Sequence, residues 1–241
     1  MEIILNEKPK GPIVISGFPG VGMVGAIATE FLIQHLDTKQ IGKFFLDKTP
    51  PLVAIHEGKL VEPFGVYYSS KHNIVVIHSI LAVPGTEWQT GNAIMEISRL
   101  LNAKEIISME GVGTPGGEGE EPNEVSRTFF YTTSPAREKA MVRQKVARLQ
   151  EGIIMGPTSA VLMKAGKVPV TCFFAETHSS MPDSNAAAQL IKVLDTYLKL
   201  KVDYKPLLKL AAKFEEKLRN IVTQSKQAED LRDRKQMSYV G

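Results

Sequence analysis

The stretch PIVISGFPGVGMVG, residues 12–25, decides how the chain reads. Pro12 to Ser16 are apolar and β-branched, glycines follow at once, and a helical spacing of apolar residues runs from Met23 to Leu36, so the segment reads strand, glycine turn, helix. The alternation continues outward. Apolar runs at Lys43–Leu46 and Pro51–Ile55 flank a Thr49-Pro50-Pro51 breaker. Gly65–Ser69 and Asn73–Ile80 follow, the second apolar enough for a strand buried on both faces. Thr86–Leu101 reads as a helix with Ile94, Ile97, Leu100 and Leu101 on one face, and Ala103–Met109 as the next strand. Further along come a strand at Thr128–Thr132, a charged helical segment at Ala136–Leu149, and an apolar helix that a Thr158 or Ser159 hydroxyl is placed to cap. A buried strand at Val168–Ala175 and an amphipathic helix from about Asn185 to Leu200 close the series. Strands alternating with helices predict an α/β fold whose mostly parallel sheet is covered on both faces.

The whole chain has 241 residues, enough to bury roughly 70–75% of its unfolded surface. Its formal charge of +3 shows no basic bias of the kind nucleic-acid proteins carry. A single cysteine, Cys172, excludes an internal disulfide and every multi-cysteine metal site, suits a reducing compartment such as the cytoplasm, and reads as a small buried hydrophobe. The first residues, MEIILNEKPKGP, lack the pattern of a signal peptide, and no apolar run approaches the ~18 residues of a membrane span. Glu110–Glu124 holds five glycines and five glutamates and reads as a long loop. Past Pro206 the character changes: Leu207, Phe214 and Ile221 recur every seven residues with Ala211 and Leu218 beside them, a stripe for a partner helix or another subunit. Residues 1–205 therefore read as one α/β domain and 206–241 as a helix with an exposed tail.

Gly20-x-Gly22-x-x-Gly25, preceded by Gly17 and Phe18, fits the fingerprint of a phosphate or dinucleotide loop, with Asp47 as the acid for a ribose. The competing reading is a tight turn in which small residues allow close packing, and a lone fingerprint leaves both standing. Of the five histidines, none has metal-ligand spacing. His78-Ser79 and His178-Ser179-Ser180 with Asp183 lie at strand ends where a base and nucleophile would sit, although no nucleophile elbow is present and ordinary turn hydrogen bonds explain them as well. Glu176 and Asp183 form a loose acidic pair, and Glu118, Glu120 and Glu121 offer a site for a cation or basic partner.

Four motifs in order, GFPGVGMVG, Pro50-Pro51, Gly156-Pro157-Thr158-Ser159 and AETHSSMPDSNAAAQLI, make residues 13–205 resemble the proteasome-assembly chaperone family, particularly its archaeal members. The resemblance implies a three-layer α/β/α sandwich like that of nucleoside phosphorylases, no cofactor, no catalysis, homo-oligomers and ATP-independent help in building proteasome rings. It also implies that Gly17, Phe18, Gly20, Gly22 and Gly25 are scaffold rather than a ligand loop. The expected partners are proteasome α-subunits or a related family protein, with no nucleic acid and no membrane. Proteasome-binding members of that family end in a hydrophobic residue, a tyrosine and one more residue. Here the end is Ser238-Tyr239-Val240-Gly241, so Tyr239, Val240 and Gly241 are the expected recognition residues, with the carboxylate displaced by up to about 3.5 Å from the aromatic anchor. An enzyme or sensor of the nucleoside-phosphorylase type, using the glycine loop with His78 or His178, is the alternative.

Overall fold

The computed structural model describes residues 1–47, 49, 53–56, 58–113, 126–177 and 182–207, without the side chains of residues 56 and 59. The elements run β1 (Glu2–Leu5), β2 (Ile13–Gly17), a 3-10 turn (Val21–Met23), α1 (Val24–His35), β3 (Lys39–Phe45), β4 (Ala54–His56), β5 (Lys59–Val61), β6 (Phe64–Ser69) and β7 (Ile74–Ser79). They continue with α2 (Glu87–Leu100), β8 (Glu105–Gly113), β9 (Thr128–Thr132), α3 (Pro135–Arg143), β10 (Ala147–Arg148), α4 (Pro157–Lys164), β11 (Val170–Thr177) and α5 (Ser184–Leu198).

Nine strands form one sheet in the order β1-β3-β6-β7-β2-β8-β11-β9-β10. The expected parallel arrangement holds through the centre, where β7, β2, β8 and β11 run together. On one flank β6, β3 and β1 pair antiparallel, and on the other β9 pairs antiparallel with β11. Side chains along a strand alternate between faces, so adjacent residues of the central strands feed two separate cores. Ile15, Ile107, Met109 and Phe173 pack with Phe31 of α1 and Leu190, Ile191 and Leu194 of α5. Val14, Val75, Ile77, Ile106 and Phe174 pack with Ile94 and Ile97 of α2 and Val161 of α4. The sheet therefore lies between two helical layers. Cys172 is buried in the α2/α4 core, as its apolar strand predicts, and burial pushes its thiol well above the usual range.

Three local expectations are corrected. The glycine- and glutamate-rich stretch does not begin as a loop: Glu110 to Gly113 prolong β8 and pair with Phe174 to Thr177, so backbone pairing outweighs their poor strand propensity. Glu118, Glu120 and Glu121 lie outside the described residues. The charged helix stops at Arg143 because Lys145 takes a left-handed φ of 58°, which frees Ala147 and Arg148 to pair with β9. The cap of α4 is Gly156 at φ 79°, a backbone shape that favours glycine, while Thr158 and Ser159 point their hydroxyls elsewhere. Pro51 and Leu52 of the Pro51–Ile55 run lie outside the described residues, and Ala54 to His56 form β4, paired with β5 in a small hairpin. Leu207, first residue of the C-terminal stripe, is fully buried in the α1/α5 core. Ala211, Phe214, Leu218, Ile221, Tyr239, Val240 and Gly241 lie outside the described residues, as does His178.

Candidate functional site

Helix α1, which follows β2, covers one face of the sheet, and α2, which follows the neighbouring strand β7, covers the other. Two adjacent parallel strands whose connections leave in opposite directions open a crevice at their C-terminal ends, the place where α/β folds bind ligands. Both of the chain's suggestive segments meet there.

The glycine turn closes its side of the crevice. A Cβ on Gly25 would fall well inside van der Waals contact of the Met109 carbonyl, and one on Gly17 would do the same to the Gly25 carbonyl. Gly22 has φ 61° and lies so close to β11 that a Cβ there would sit 2.6 Å from Thr177 Oγ1. Its carbonyl accepts from the Asp183 backbone N–H at 2.8 Å, and Met23 follows with φ 50°, so two left-handed residues in succession turn the chain into α1. Asp183 then caps α5 by accepting from Ala186 N–H at 2.9 Å and is held by the Thr177 hydroxyl at 2.8 Å. The space a pyrophosphate would need is filled by β8, β11 and the start of α5. Asp47 lies two residues past β3, a strand separated from β2 by β6 and β7, about 14 Å across the sheet, and its carboxylate binds the amino group of Met1. The tight-turn reading of Gly17, Gly22 and Gly25 is the one the geometry supports, and Asp47 is not brought to the loop.

His78 is also drawn into the frame. It faces the α1 layer with 2% of its surface exposed, its Nδ1 lies 2.8 Å from Thr29 Oγ1, and its Nε2 lies 3.2 Å from Glu30 Oε2. Thr29 itself approaches the Gly25 carbonyl at 2.9 Å. The Thr29 hydroxyl is thus within hydrogen-bond distance of both the Gly25 carbonyl and His78 Nδ1, so it links β7 to the glycine turn. Ser79 Oγ donates to the Leu81 carbonyl at 2.8 Å and is buried. Neither residue faces open space, and the structure does not join them into a base and nucleophile. Glu176 is tied by both carboxylate oxygens to Arg127, each at 2.7 Å, which occupies it as half of an ion pair rather than as a partner of Asp183.

On the α2/α4 side the crevice stays open. Phe18 and Pro19 of the glycine turn form one wall, Leu81 to Pro84 and the first turn of α2 another, and Phe64, Gly156 and Pro157 complete a cleft of about 150 Å³. Its lining is apolar except for Thr86, Glu87 and Thr90. That volume is well below the 300 Å³ or more of ordinary cofactor pockets and suits single large apolar side chains. Large apolar groups stand exposed on the segments that line it or flank it: Val21, Trp88 and Met155 at 45%, 51% and 76%, and Ile55 and Leu60 on the β4–β5 hairpin at 69% and 55%. The hairpin is anchored beside the cleft because Ala54 and Val61 pack on Ile80 and Leu81. Together with the apolar cleft, these exposed groups are a candidate protein-interaction surface. Sequence reasoning missed the cleft; the available signals were the breakers Pro84-Gly85 and Gly156-Pro157, each ahead of a helix.

Beside Pro157, a chain of hydroxyls ends on a partly buried carboxylate. Ser108 hydrogen-bonds to Thr158, and Thr158 donates to Glu110 Oε1, joining β8 to the first turn of α4. Burial pushes the Glu110 carboxyl up to about 7, with the Thr158 hydrogen bond pulling the other way. Among the described residues, no group of three or more His, Cys, Asp or Glu side chains is placed to hold a metal ion, and no helix is long and apolar enough to cross a membrane.

Comparison with known proteins matches the PAC2 family to residues 14–222. An uncharacterized protein of Methanocaldococcus jannaschii is 28% identical over 224 residues, covering 90% of each chain. Among solved structures, Pyrococcus furiosus PbaA, an archaeal homolog of proteasome-assembly chaperone, superposes with a TM-score of 0.82 at 29% identity, covering 95% of this chain and 99% of its own. P. furiosus PbaB, an archaeal proteasome activator, shares the fold with a TM-score of 0.75 at 22% identity, covering 91% and 98%.

Proposed function

This chain belongs to the PAC2 family, and from that membership we propose that it is an ATP-independent assembly chaperone or adaptor for proteasome rings. It works as a homo-oligomer in the cytoplasm, holds partners by surface rather than by catalysis, and its tails contact proteasome α-subunits or a related family protein through Tyr239, Val240 and Gly241. The observation that carries this reading is the end-to-end likeness to the P. furiosus homolog of a proteasome-assembly chaperone. The site geometry supports it from another side, since the glycine turn is filled by the protein's own backbone while the open cleft is apolar and rimmed by exposed hydrophobic groups. Several weak tails on one oligomer would act together and raise affinity without new contacts.

Native mass spectrometry of the full chain mixed with proteasome α-subunits, repeated with a chain ending at Met237, tests the proposal. Complexes that form with the full chain and are lost without Ser238 to Gly241 are the expected result. Complexes unchanged by the truncation would remove the tail assignment, and a chain that ignores α-subunits altogether would remove the proteasome reading.

A further inference from the structure

The cleft and the C-terminal end of α5 lie at opposite edges of the sheet, since the Tyr197 hydroxyl reaches Glu105 at the start of β8. Helix α5 starts at the cleft edge, where Asp183 caps it beside the glycine turn, and its 15 residues carry the chain about 22 Å toward the other edge. Nine residues further on, Leu207 is buried on the α1/α5 layer, the face of the sheet turned away from the cleft. The residues that follow continue the apolar spacing at Ala211, Phe214, Leu218 and Ile221, and Lys205 to Ile221 carries five basic side chains against two glutamates. The one charged side chain lining the cleft, among the described residues, is Glu87.

We propose that the cleft beside Phe18 and Leu81 receives the apolar stripe following Leu207 from a second copy of this chain. The match is one of shape and charge: a cleft sized for single large side chains, with one glutamate, Glu87, as its charged group, and a segment that offers Phe214 and Leu218 between basic residues. A segment leaving one edge of a subunit and entering the opposite edge of the next makes a head-to-tail contact, which closes into a ring when the rotation permits. This rests on the oligomer in the function proposed above and names the contact that would build it. It leaves Tyr239 to Gly241 free for another partner.

Disulfide trapping tests it, because Cys172 is buried and its thiol is pushed up, so introduced cysteines are the reactive ones. A chain carrying Ala82→Cys, at an exposed position of the cleft, is mixed with a chain carrying Ala211→Cys or Leu218→Cys and oxidised. Disulfide-linked pairs of the two chains are expected, with about tenfold less from Glu216→Cys, which lies off the stripe. Phe214→Asp in the otherwise unaltered chain is expected to shift native mass toward the monomer while the melting temperature of the domain holds. Absence of mixed pairs, or equal trapping at all three positions, would overturn the proposal. The Met237 truncation leaves this contact intact, so failure here and failure of tail binding to α-subunits are separable.

Discussion

At the C-terminal edge of the central strands, one molecule shows two fates for a strand-to-helix connection. The connection from β2 to α1 is rich in glycine and is sealed by its own neighbours at Gly17, Gly22 and Gly25, with the Met109 carbonyl and Thr177 pressed where side chains would be, and only its Phe18-Pro19 corner reaches the cleft. The connection from β7 to α2 reads as an ordinary apolar turn, yet it borders the open cleft. The difference teaches that a glycine-rich turn reports a close approach without saying what approaches. In a nucleotide-binding fold it is a pyrophosphate; here it is the next strand.

Gly25 and Gly20 separate the two meanings, because a phosphate loop would need both and a packed turn needs only the first. Gly25→Ala places a methyl group against the Met109 carbonyl, and a loss of about 3–5 kcal/mol of stability, or failure to fold, is expected in thermal or urea denaturation. An unperturbed melting curve would break the contrast at its strongest point. Next in size is Glu110, on the open side. Its carboxyl is raised from 4.5 to about 7 in the folded protein, so the fold holds a proton that the unfolded chain has released between those values. The stabilising contribution is full below 4.5 and is lost as pH rises through about 7. Glu110→Gln, which stays neutral, should therefore be the more stable chain well above pH 7, by up to about 3 kcal/mol, with the gap closing in acid. Paired denaturation curves across that range check the sign, and a gap that widens in acid would contradict it. The smallest effect belongs to Gly20→Ala. Gly20 is extended, at φ −153°, and no atom comes within 4 Å of the place its added methyl group would take, so stability should stay within about 0.5 kcal/mol and oligomer mass should not move.

Much of the scaffold was legible because each central strand is bounded by strong punctuation and its apolar residues serve two cores. Residues 13–16, 74–79 and 170–175 needed no tertiary information to be read as strands. The flanks were harder. The extension of β8 through Glu110 to Gly113 depends on pairing with β11, and the two-residue β10 on pairing with β9, so neither has a local signature. At the site, His78 and Asp183 stood out by residue type, but type could not say that they tie the frame together. The cleft was invisible for a related reason: Phe64, Leu81 and Pro157 come from three separate parts of the chain and carry no motif until the sheet order brings them side by side.

Strand β10 finally bears on how the protein behaves when crowded. One border of the nine-stranded sheet is only Ala147 and Arg148, both exposed, and Arg148 is engaged with Glu138 at 2.7 Å. A border two residues long, carrying a fixed cation, is a poor template for another strand. That border therefore offers a second copy little unpaired backbone on which to add a strand.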